Sequence, residues 1–200
     1  MNSPSSTGAI GLAVAGLLIG AGGVLHPRVD TSLELEQGLA GMIESSGWNL
    51  AHLLTMAGFL VLAVSLATLA RGALRMPGWI AAVATAFAAL ESVPHLLAAS
   101  EPSLVDVHTT LQAFSTPVVG LSLAAVALVG ARSGELDAGR IVTALAVAGG
   151  VAFAFAGPAI ALTENPELSP LFAGSAGLAV WAVVAGTRRA RALTPAPVHA

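Results

Sequence analysis

The chain has 200 residues, 56% of them hydrophobic and only 10% charged, with a mean hydropathy of +0.84. A soluble domain carries roughly 25% charged residues, so water is the wrong solvent for most of this surface. The net charge of -3 gives no footprint for nucleic acid, and the lack of cysteine excludes disulfides, thiolate metal sites and thiol redox chemistry.

A bilayer core needs about 20 apolar residues per helix. Segments of that kind recur near 8–25, 48–70, 79–99, 108–130, 141–162 and 170–187, within a single polytopic unit of residues 1–200 that ends in a tail, 188–200. The expected fold is therefore an all-α integral membrane bundle of six transmembrane helices. The first segment has no Lys or Arg before Arg28. A cleaved signal peptide needs a positive n-region, so this segment reads as a retained helix. Within it Gly16 and Gly20 form a GxxxG pair that lets another helix approach closely.

The first connection holds "TSLELEQGLAGMIESS". Thr31 and Glu34 fit a capping box, and Leu35, Leu39, Met42 and Ile43 follow helical spacing. The expectation is a short amphipathic helix lying on the outer membrane surface. Further along, Pro117 and Pro158 fall inside helices and are expected to kink them. "SPLF" makes Ser169 an N-cap and Pro170 the first turn of the sixth helix. Trp48, Trp79 and Trp181 fall near helix ends, where an interfacial aromatic belt forms.

All eight basic residues are Arg. Arg71 and Arg75 lie in the second connection, Arg132 and Arg140 in the fourth, and Arg188, Arg189 and Arg191 in the tail. The first, third and fifth connections carry Asp30, Glu34, Glu36, Glu44, Glu101, Asp106, Glu164 and Glu167, and only Arg28 among bases. The positive-inside rule then places both termini in the cytoplasm and the acidic connections outside. The expected location is the cell membrane of a bacterium or archaeon. The expected partners are the lipid bilayer and a second copy or partner membrane subunit.

His26 closes the first helix, His52 lies about one turn into the second, His95 one turn from the end of the third, and His108 opens the fourth. On this topology all four share one depth near the outer face; His199 lies in the tail. Glu91 precedes His95 by one helical turn and sits about 12 Å inside its helix end, at 1.5 Å per residue. Asn49, Met56, Gln112 and Ser115 lie on compatible helix faces. An ionisable side chain inside a membrane is costly, so Glu91 reads as functional, and catalytic if the site is an enzyme's.

Neutral imidazole is a common metal ligand, and a helix N-terminus disfavours the protonated form of His52 and His108. Beside Glu91, His95 also reads as half of an ion pair or proton-accepting pair. His26, His52, His95, His108 and Glu91 are therefore the candidate ligands of a transition metal, zinc, copper or iron. With His52 and either His95 or His108 as axial ligands they are candidates for haem b. Whether the chain is an enzyme stays open. The alternatives are a proton-coupled transporter, a non-catalytic assembly subunit and a quinone pocket; interfacial histidines also occur simply bound to water or headgroups. No local metal motif such as HExxH is present.

Overall fold

The computed structural model describes residues 4–98, 100–101 and 104–194. Among them there are only helices, turns and irregular connections. The helices are α1 (Pro4–Leu25), α2 (Leu35–Ile43), α3 (Trp48–Leu69), α4 (Arg75–Leu97), α5 (Leu104–Ser133), α6 (Arg140–Thr163) and α7 (Gly174–Ala192). Among the described residues six stretches are long and apolar enough to cross a membrane: Ser6–Leu25, Trp48–Leu69, Gly72–Leu97, Val107–Ser133, Arg140–Thr163 and Pro166–Ala192. Each overlaps one of the expected segments. The end of the tail, with His199, falls outside the described residues, as do the side chains of Leu35 and Asp106.

The long helices run up and down and form a ring. Each packs on its sequence neighbour, α1 on α3, α3 on α4, α4 on α5, α5 on α6 and α6 on α7, and α7 closes back onto α1. Small residues make the contacts close. A Cβ at Gly16 would lie 2.6 Å from the carbonyl oxygen of Ala179 on α7, so the GxxxG pair does set a helix contact. A Cβ at Gly150 would lie 2.6 Å from the carbonyl oxygen of Gly120, so α5 and α6 meet backbone to backbone. The ring is filled by Leu12, Leu62, Leu66, Val119, Val126 and Trp181, all essentially inaccessible. Its outer faces present Leu17, Val64, Val83, Leu90, Phe114, Leu145 and Phe155, an apolar surface suited to lipid.

Several local expectations are corrected. The third spanning segment starts earlier than residue 79, with a 3-10 turn over Gly72–Leu74 and α4 from Arg75. Gly72 takes a positive φ of 52°, which admits a tight turn, and the Glu135 carboxylate caps the exposed N–H of Ala73 at 2.9 Å. The start of the sixth segment is a 3-10 helix, Pro166–Ala173, capped by Asn165, whose side chain accepts from Glu167 N at 2.9 Å. Ser169 is therefore inside that helix and not its cap. Pro170 lacks the N–H an α-helical ladder needs, so the α-form begins only at Gly174.

α2 forms where the amphipathic pattern lies, with Leu39, Met42 and Ile43 half-buried and Glu36 and Gln37 exposed. Its capping box does not form. Glu34 occupies the N-cap without a side-chain bond, and Asp30 takes the local donors instead, from Ser32 N at 3.0 Å and Ser32 Oγ at 2.7 Å. α5 and α6 continue through Pro117 and Pro158. Of the three tryptophans only Trp79 is exposed as a belt residue would be. Trp181 is 1% exposed and fills the ring, because the Gly- and Ala-rich helices around it leave a volume only a large side chain occupies. Trp48 is 3% exposed and belongs to the polar layer described next.

A candidate metal centre at one end of the helix ring

Up-and-down topology brings the end of α1, the start of α3, the end of α4 and the start of α5 to one end of the ring, in neighbouring positions. His26, His52, His95 and His108 lie at those four places. Their rings touch in the same order. The His26 and His52 centroids are 4.8 Å apart, His52 and His95 stack at 4.0 Å, and His95 meets His108 edge-on. His52, His95, His108 and Glu91 are buried, and His26 is half-buried at the rim. The four imidazoles thus gather at one end of the ring; α5 begins at Leu104, so His108 lies one turn inside that helix and does not open it.

The tautomers of two rings follow from their partners. A carbonyl oxygen only accepts, so the nitrogen facing it must carry the proton. His26 Nδ1 donates to Pro27 O at 2.6 Å, and His52 Nδ1 donates to Trp48 O at 2.7 Å. In the neutral rings both Nε2 atoms are then bare. They face each other at 3.2 Å. Burial lowers the pKa of His26 below its ordinary value, more than its bond to Pro27 O raises it, which favours that neutral form. His95 completes a group whose three ligand atoms lie within 4.8 Å of one another.

A second group joins His95 to Glu91 and His108 under the same 4.8 Å limit. Glu91 is paired across the helix interface: its Oε1 lies 2.7 Å from His108 Nδ1 on α5. This corrects the expected Glu91–His95 ion pair. The His95 ring is instead held between His52 and His108, and the indole Nε1 of Trp48 donates to His95 O at 3.1 Å. The short approach of Glu91 Oε1 to His108 Nδ1 is out of line for a hydrogen bond, and both atoms lack a hydrogen-bond partner. Ser115 donates to the other carboxylate oxygen, Oε2, at 3.3 Å.

Of the lesser candidates, Ser115 joins the layer. Asn49 is exposed and outside it, while Met56 and Gln112 are half-buried. Trp48 is the residue that sequence reasoning misplaced. Its signal was present in the spacing of Trp48 and His52, one helical turn apart on α3, where the indole lies 4.1 Å from the imidazole.

Two groups, one of three imidazoles and one of two imidazoles and a carboxylate, are thus disposed to hold a metal ion. Imidazole nitrogen with carboxylate oxygen suits borderline divalent ions such as zinc, iron, nickel and copper. Comparison with known proteins gives no match: no protein-family model, no curated protein and no solved structure is significantly similar to the chain.

Proposed function

We propose that this chain is a membrane protein that binds a divalent first-row transition metal at the histidine end of its ring, through Nε2 of His26, Nε2 of His52 and a ring nitrogen of His95. The observation that carries the reading is the pair of bare Nε2 atoms 3.2 Å apart, each fixed by an Nδ1–H···O=C bond. A metal-bound histidine commonly donates its other ring N–H in this way, which orients the ring and raises its basicity. Two lone pairs facing each other repel. A proton between them bridges two nitrogens, whereas an ion serves three. With Zn–N bonds of about 2.0–2.1 Å, nitrogens 3.2 Å apart subtend about 100° at the ion, near the tetrahedral angle.

The ring contacts favour a bare ion over haem b. A haem iron needs its two imidazoles on opposite faces of a flat macrocycle, and here neighbouring imidazoles touch. The surroundings favour a held ion over a transport path. The hydroxyls of Thr85, Ser92 and Thr116 are turned back onto carbonyls of their own helices, and Leu62, Val119 and Leu123 fill the ring. The arginine pattern supports a cell-membrane protein with cytoplasmic termini, and then the metal faces outward.

The test is metal content and an absorption spectrum of detergent-purified protein, before and after equilibration with Zn(II). The expected result is stoichiometric metal, no Soret band, and loss of an ion in both His26→Ala and His52→Ala. Protein that takes up no metal on reconstitution, or that keeps full occupancy in both variants, refutes the reading.

A further inference from the structure

We propose that the layer holds a second ion, on the more buried side of the first, on Glu91 and His108, with His95 as the ligand common to both ions. This rests on the metal-binding reading above but on a different observation. Glu91 Oε1 and His108 Nδ1 lie 2.7 Å apart, and their side chains are each 9% exposed. Neither atom has a hydrogen-bond partner. The two form an ion contact without an aligned hydrogen bond, and a buried carboxylate and imidazole satisfied only in that way are costly.

The other carboxylate oxygen is engaged by Ser115, so the group is oriented with Oε1 as its open atom. With bonds of about 2.1 Å to an ion, atoms 2.7 Å apart subtend about 80°, nearer the right angle of a higher-coordinate ion than the tetrahedral one. The two positions therefore differ in kind. The rim position has three imidazoles, and the deeper one has two imidazoles and a carboxylate. The latter donor set is the one that suits iron(II) or zinc with open coordination positions.

His95 is common to both groups, and an imidazole has two ring nitrogens. Bound to one ion it keeps its second N–H. Bound to both it becomes an imidazolate, and that proton leaves to the buffer as the second ion enters. The Glu91 carboxylate and the imidazolate then offset two of the four positive charges brought in. The His95 ring lies between those of His52 and His108, within reach of both groups.

The deciding measurement is the number of zinc ions retained per chain by purified full-length protein after loading with Zn(II) and desalting. Two ions per chain in the unaltered protein are expected. Glu91→Gln, which keeps the shape of the side chain, is expected to retain one, as is His108→Ala. His26→Ala is also expected to retain one, and His95→Ala to weaken both by tenfold or more. One ion in the unaltered protein overturns the second site while leaving the metal-binding reading intact. Two ions that both survive Glu91→Gln overturn it as well. No ion in the unaltered protein overturns both proposals, and the unaltered count needs no variant to fold.

Discussion

Replacing Trp48 by phenylalanine tests whether the layer is a preorganised site or a loose collection of polar groups. The indole is 3% exposed, lies 4.1 Å from the His52 ring and 4.7 Å from the His95 ring, and donates to His95 O at 3.1 Å. Phenylalanine keeps an aromatic face against both imidazoles but has no donor. A lost neutral hydrogen bond costs about 1 kcal/mol net. Groups that orient metal ligands typically change affinity by about 10–100-fold when removed, and tenfold corresponds to about 1.4 kcal/mol. The two figures agree at the lower end. Trp48→Phe is therefore expected to weaken Zn(II) binding about tenfold with the number of bound ions unchanged. Competition against a chromogenic chelator in detergent measures it. The exposed Trp79 serves as control, and Trp79→Phe is expected to leave the affinity alone. Trp48→Phe binding zinc within about twofold of the unaltered protein refutes the positioning argument, since even the lower bound exceeds that.

Removal of the Ser115 hydroxyl leaves Glu91 Oε2 without its donor, and at 3.3 Å that bond is worth about 1 kcal/mol. Ser115→Ala is thus expected to weaken the deeper ion severalfold and spare the rim ion, read by zinc titration. Gly120→Val pushes a side chain into the Gly150 backbone on α6, and overpacking of this kind costs about 1–3 kcal/mol or more. A lowered thermal midpoint in detergent is expected, with metal content intact in the folded fraction. Single cysteines at Arg75, the start of α4, and at Glu101, in the connection that follows its other end, report orientation. Labelling of intact cells by an impermeant thiol reagent is expected at position 101 and not at 75, and the reverse places the metal centre on the inner side.

How much of this was legible in the chain depends on the range of the interaction. The six long apolar helices follow from apolar runs of bilayer length, because a membrane demands that each segment satisfy its own backbone hydrogen bonds. The common depth of His26, His52, His95 and His108 follows from counting residues along helices that alternate in direction. The close approach at Gly16 was readable because only a missing Cβ permits it. Local capping was read less well. Thr31 and Ser169 matched cap patterns, but the side chains that accept backbone N–H groups there are Asp30, from Ser32, and Asn165, from Glu167.

What only the tertiary structure decided is who touches whom. Spacing put Glu91 with His95 because one helical turn separates them, yet Glu91 lies against His108, which is on the neighbouring helix. Trp48 looked like a membrane-interface residue, and helix packing turned it inward onto the imidazoles. The opposed Nε2 atoms of His26 and His52 and the close contact of Glu91 with His108 are likewise products of helix rotation and ring order. A sequence specifies each helix's length and depth through local physics. The rotation of one helix against another is set by the packing of all six, and the ligand sets follow from that rotation.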